Sequence, residues 1–133
     1  MHDYFNPEQD RSLAAGMSVL GLAHIGDCVF ELCVRAYLCR RGLTKVSHLH
    51  SETVAMVKAP SQAKAAEKII PLLDEDESAV FKRGRNHKVN SVPKNAELAD
   101  YHSATALEAL FGWLYLNGRV DRINELFDVI TGD

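Results

Sequence analysis

Two carboxylates are conspicuous for their surroundings. Residues 106–116 read Ala-Leu-Glu-Ala-Leu-Phe-Gly-Trp-Leu-Tyr-Leu, and Glu108 is the only charged residue in the run. A carboxylate in apolar surroundings is costly to ionise, so it protonates or finds a partner. Glu108 therefore requires a cation, a metal, or water at a cleft. Gly112 lies one helical turn further on the same face, which leaves room for a ligand or for close approach of another helix. The second carboxylate is Asp27, in the helical segment 18–40. On a helical wheel the apolar residues of that segment spread nearly all the way round. The exception is one narrow stripe: His24, Asp27, Glu31 and Arg35. A helix apolar on most sides should be buried on most sides, with its stripe facing water or an internal polar cleft.

Two acids on two core helices suit a hard cation. Mg²⁺ takes oxygen ligands, often one or two carboxylates, completed by water and phosphate oxygens. Such a metal can activate water and neutralise charge on a phosphodiester. Each acid also has a plainer reading. Asp27, Glu31 and Arg35 can form a solvated charge ladder along one helix edge. Glu108 can pair with an arginine such as Arg35.

The formal net charge of −3 argues against a nucleic-acid partner, but its distribution does not. Residues 35–94 carry 12 Lys+Arg against 6 Asp+Glu, a local balance of +6, and the rest of the chain is at −9. A chain acidic overall can thus present a basic face. The densest basic run is Lys82-Arg83-Gly84-Arg85-Asn86-His87-Lys88, followed by Lys94-Asn95. Its lysines and arginines suit phosphates, and Asn86 suits a sugar or base edge. Taken alone, the run also reads as a solvated, flexible charge cluster. Tyr101, Trp113 and Tyr115 fall near the helix that carries Glu108 and do not form a stacking platform for single strands. A duplex gripped through phosphates and sugar hydroxyls fits better.

These residues must be positioned by helices, because the chain shows helical periodicity and no strand alternation. The spacing predicts a helix over 18–40 stopped by Gly42, then one capped by Thr44 or Ser47 and running to residue 58. Pro60 suits the first turn of a helix reaching Ile70, which Pro71 ends. The acids Asp74-Glu75-Asp76-Glu77 suit a helix N-terminus, with that helix broken by Gly84 and residues 85–94 a polar loop. Asn95 is placed as the cap of a helix over 96–116, and a last helix over 120–130 carries Ile123, Leu126, Phe127 and Ile130 on one side. The fold class is all-α.

With 133 residues, 47% apolar and 25% charged, the chain reads as one globular domain with its core over 13–130. No apolar stretch approaches the roughly 20 residues a membrane span needs, and the polar, acidic start is unlike a secretory signal. Cys28, Cys33 and Cys39 fit no zinc or redox spacing. They are expected as reduced thiols in a cytoplasmic protein, packed in the core.

The motifs also resemble a known family. The run from His24 to Glu31 resembles the first signature of the ribonuclease III catalytic domain, and Ala106 to Leu116 its second. The likeness is closer to the short bacterial branch, Mini-ribonuclease III. The matching stretches are Gly21 to Asp27, Lys82 to Asn86, Pro93 to Asn95 and Ser103 to Ala109. The resemblance implies an all-α endonuclease domain that forms a homodimer. Each subunit would hold Mg²⁺ and cut one strand of double-stranded RNA, leaving 5′-phosphate and 3′-hydroxyl ends. Asp27 and Glu108 would be the catalytic, metal-binding carboxylates, and large-subunit (23S) ribosomal RNA precursors the substrate. Lys82, Arg83, Arg85, Asn86, Lys88 and Lys94 are the residues expected to bind the RNA.

Full-length ribonuclease III has two further acids, at the places where this chain has Ala23 and Thr105. The short branch shares both losses, and they leave the number of metals open. No double-stranded-RNA-binding domain is expected after residue 133. Grip would then fall on the basic middle, and binding should be weaker and salt-sensitive. Two rival readings stand beside this one. The chain could be a non-catalytic RNA-binding subunit of a ribosome-assembly or processing complex, or a helical adaptor with both acids in ion pairs.

Overall fold

The helices begin and end where backbone chemistry requires it. In the computed structural model, which describes residues 1–7, 11–88 and 97–132, a short helix α1 (Arg11–Ala15) precedes the long α2 (Val19–Arg40). Ser18 caps α2, its hydroxyl accepting a hydrogen bond from the Gly21 N–H at 3.0 Å. Gly42, at φ 91°, turns the chain away after the last turn. α3 (Val46–Val57) and α4 (Ala59–Ile69) are separated by Lys58 alone, which is extended, and Pro60 sits in the first turn of α4. A 3₁₀ turn over Ile70–Leu72 holds Pro71. α5 (Glu75–Asn86) opens with a capping box: Asp74 accepts from the Glu77 N–H at 2.8 Å, and Glu77 accepts from the Asp74 N–H at 2.9 Å. α6 (Leu98–Leu116) and α7 (Val120–Thr131) complete the chain.

α6 is the axis of the bundle. Its residues 104–107, 109–112 and 114 are all buried, which explains why it is apolar around its whole circumference. α2, α4, α5 and α7 pack around it. Phe30 of α2 meets Phe111 of α6 and Phe127 of α7 edge-on, with ring centroids at 5.3 and 5.8 Å. Burying each such ring contributes about 1.5–3 kcal/mol. α7 buries Ile123, Leu126, Phe127 and Ile130, the stripe its sequence predicts.

One buried ion pair ties the layers together. Glu77 has 0% of its surface exposed, and its two carboxylate oxygens each accept from Arg122 of α7 at 2.9 Å. Arg122 also donates to the Leu72 carbonyl at 2.8 Å. Glu77 thus does more than favour a helix N-terminus. It caps α5 and ties Arg122 of α7 to that helix's N-terminal end.

Several expectations are corrected. Gly84 does not break α5, which continues to Asn86. A Cβ at Gly84 would lie 2.7 Å from the Ala106 Cα, so this glycine lets α5 press against α6. The basic run is therefore mostly helical rather than a loop. α3 has Lys45 at its N-cap position and no side-chain cap, so neither Thr44 nor Ser47 fills that role. α6 starts at Leu98; Asn95, with the rest of 89–96, lies outside the described residues. Cys28 and Cys39 are exposed and only Cys33 is half-buried, against the expectation of core packing. The cause is that α2 is buried along one flank only. Its outer flank carries Leu20, Cys28, Leu32, Ala36 and Cys39, all exposed.

Candidate metal centre and nucleic-acid surface

α2 and α6 cross where their glycines meet. A Cβ on Gly26 would overlap the Glu108 carbonyl oxygen, and one on Gly112 would overlap the Leu22 carbonyl oxygen. Of the two uses open to Gly112, close helix approach is the one the structure adopts. The crossing sets the two carboxylates side by side, because Asp27 follows Gly26 and Glu108 lies one turn before Gly112.

Asp27 is exposed and Glu108 is partly buried, and their side chains share a hydrogen bond. Burial first, then the neighbouring Asp27 charge and that hydrogen bond, push the Glu108 carboxyl up to about 8. Glu108 therefore favours its protonated form at neutral pH when nothing else neutralises the site. Such a site can exchange its proton for a cation. Arg35 is not the partner of Glu108: it pairs with Glu31 at 2.9 Å and is exposed. The expected charge ladder is thus formed by Glu31 and Arg35. His24 lies exposed one turn before Asp27, and Ala23 and Thr105 are both buried.

Gln62 of α4 is a third polar group at the crossing, not singled out by its residue type. It is 3% exposed, it lies against Glu108 and favours that carboxylate's ionised form, yet its Nε2 completes no hydrogen bond. A buried donor left unpaired costs about 1–3 kcal/mol. The signal for it was present: Gln62, Ala65, Ala66 and Ile69 form the buried stripe of α4, so an amide there had to face the core.

The donor set fits a hard divalent cation. Among the described residues no group of three or more His, Cys, Asp and Glu side chains converges, which disfavours a zinc-type cage. Two carboxylates with an amide behind them suit the sparse, water-completed coordination of such a cation.

Lys82, Arg83, Arg85, Asn86 and Lys88 are all exposed at or just beyond the C-terminal end of α5, with Arg85 resting over the Phe81 ring at 5.7 Å. Lys94 lies outside the described residues. α5 packs on α6, the helix that carries Glu108. A separate groove of about 540 Å³ lies between the end of α2 and α3, lined by Tyr37, Arg41, His48, Glu52 and Met56 among others. Tyr37 is ten residues along α2 from Asp27, about 15 Å by helical rise, so this groove is not the carboxylate site.

The architecture and its paired carboxylates can be set beside known proteins. A model of the ribonuclease III domain family matches residues 20–119. A Mini-ribonuclease 3 of Brevibacillus brevis is 43% identical over 118 residues, covering 86% of this chain and 88% of that relative. A Mini-ribonuclease 3 of a Thermoanaerobacter species is 42% identical over 113 residues, covering 85% and 80%. A crystal structure of a Fusobacterium nucleatum protein superposes with a TM-score of 0.80 at 32% identity, covering 88% of this chain and 93% of that one. The chain is an endoribonuclease by class. It belongs to the ribonuclease III family, in the Mini-ribonuclease III branch. No helix among the described residues is long and apolar enough to cross a membrane.

Proposed function

We propose that the chain is a Mg²⁺-dependent endoribonuclease that cuts double-stranded RNA as a homodimer in the cytoplasm, maturing large-subunit (23S) ribosomal RNA precursors. Asp27 and Glu108 are its metal-binding catalytic carboxylates. The observation that carries this is their meeting at a glycine-on-glycine crossing of two helices, one acid exposed and the other partly buried. A purely structural pair of anions would gain nothing from such a position.

In this reading residues 1–133 act as one catalytic domain. A bound Mg²⁺ supplies Lewis acidity at the scissile phosphate and makes water a competent nucleophile at neutral pH. Asp27 offers its carboxylate from the exposed side of the crossing and Glu108 from the buried side, so Glu108 must give up its proton to bind a cation. Lys82, Arg83, Arg85 and Lys88 engage phosphates along the duplex and Asn86 a sugar or base edge, with Lys94 extending the same basic stretch. Duplex RNA is read through phosphate and 2′-hydroxyl contacts, which an exposed helix end can make. Hydrolysis leaves a 5′-phosphate and a 3′-hydroxyl.

The second copy is supported by the outer flank of α2. Leu20 and Leu32 are 54% and 56% exposed, and Cys28 and Ala36 lie on the same stripe, which is interrupted by the exposed His24. An apolar stripe beside the carboxylates suits a two-fold contact that puts two sites across one duplex.

The test is a cleavage assay on a duplex, its separate strands, and a stem from the large-subunit ribosomal precursor. The duplex and the stem are expected to be cut to 5′-phosphate ends, and the single strands spared. Equal cutting of single strands, or binding without cutting, would contradict the proposal, and the latter would favour an RNA-binding subunit. Sedimentation should give a dimer that Leu32→Glu dissociates; a monomeric wild type would contradict the dimer.

A further inference from the structure

We propose that Gln62 is a positioning residue of the metal site: its side-chain amide donates to the Glu108 carboxylate and sets the direction from which that carboxylate meets the cation. The inference rests on the function proposed above and concerns α4, an element that reading does not use.

Three observations carry it. Gln62 is 3% exposed, in a stripe otherwise made of Ala65, Ala66 and Ile69. A leucine or methionine would fill the same volume with nothing to satisfy, whereas an amide brings two donors and an acceptor into the core. Its Nε2 is buried and completes no hydrogen bond. Buried donors are almost always paired, so an orphan needs an explanation. The group it lies against is Glu108. The NH₂ end of an amide is the end that favours an ionised carboxylate, and Gln62 favours that form of Glu108.

The orphan donor makes sense in the cation-bound state. α4 packs on α6, and a buried Nε2–H there has the Glu108 carboxylate as its acceptor. A Glu108 so held would present its carboxylate to a cation from a fixed direction. Carboxylates that ligate metals are themselves held by hydrogen bonds, and losing such a holder weakens metal affinity by about 10–100-fold. The residues one turn before each acid, Ala23 on α2 and Thr105 on α6, bring no carboxylate to share that task.

The experiment measures Mn²⁺ binding by electron paramagnetic resonance, without RNA, for the full chain and for Asp27→Asn and Gln62→Met. Wild type should bind and Asp27→Asn should lose binding. Gln62→Met should bind about 10–100-fold more weakly, with a metal-free melting temperature no lower than wild type. In cleavage assays its half-maximal Mg²⁺ concentration should rise by the same factor, with a smaller change in rate at saturating Mg²⁺. If Gln62→Met binds Mn²⁺ as wild type does while Asp27→Asn does not, the positioning role is overturned and the proposed function stands. If wild type binds no Mn²⁺, or Asp27→Asn binds normally, both are overturned. Should Gln62→Met fail to fold, Gln62→Glu decides. It replaces the donor with a further anion, so Mn²⁺ should raise its melting temperature by more than it raises that of wild type. An equal rise overturns the proposal.

Discussion

Gly26 lies directly against the backbone carbonyl of Glu108, so the neighbour of one candidate carboxylate touches the residue that bears the other. The separation of the two acids is thereby fixed by backbone contact between helices rather than by long side chains. Adding one methyl group at Gly26 or Gly112 must force α2 and α6 apart. We expect Gly26→Ala to destabilise the fold by about 3 kcal/mol, the upper end of overpacking costs, and to abolish cleavage. A urea midpoint equal to wild type would contradict this account of the crossing.

The crossing also shows what the sequence could and could not reveal. Glu108 stood out because it is the only charge in an apolar helix, and burial leaves that mark on composition. Asp27 was visible as one member of a polar stripe. Their meeting was not visible, because helix periodicity says which face is apolar and not which helix it meets. Gly84 misled for the same reason: a glycine that ends a helix and a glycine that lets two helices touch look alike until the neighbour, Ala106, is known. The exposed Cys28 and Cys39 have a parallel cause. The apolar outer flank of α2 reads as core, and only the packed structure shows that none of the described residues covers it. Gln62 was legible in principle from the stripe at 62, 65, 66 and 69, but its partner was not.

Arg122 is the sole cation hydrogen-bonded to the fully buried Glu77 among the described residues. Arg122→Leu should cost about 3–5 kcal/mol, because it strands a buried charge. Combining it with Glu77→Gln should recover part of the loss. Urea unfolding of the single and double variants measures this; additive effects would show that the pair is not coupled.

The raised Glu108 carboxyl links metal binding to pH. Its folded value of about 8 exceeds the ordinary 4.5, so its contribution to metal-free stability is complete below 4.5 and is lost as pH rises through 8. A cation demands the ionised pair and so works in the opposite direction. Mg²⁺ affinity should climb across that window, with about one proton released per binding event near pH 6.5 and almost none near pH 9.5. Calorimetry in buffers of different ionisation enthalpy counts those protons. No proton release near pH 6.5 would contradict the raised Glu108 carboxyl.

The exposed end of α5 should govern RNA affinity rather than catalysis. Arg83→Glu and Arg85→Glu should weaken duplex binding. Each arginine that no longer neutralises a phosphate should reduce the slope of log affinity against log salt by about 1. Filter binding over a salt series measures both. Unchanged affinity and slope would reduce this surface to a solvated charge run.

The central claim is that Asp27 and Glu108 hold a divalent cation that cuts duplex RNA. Cleavage of a long double-stranded RNA, with Mg²⁺ and with chelator, by wild type and by Asp27→Asn tests it most directly. The account predicts cutting only by wild type with Mg²⁺, with Asp27→Asn folded and inactive. Cutting that persists in chelator, or in a folded Asp27→Asn at the wild-type rate, would contradict it.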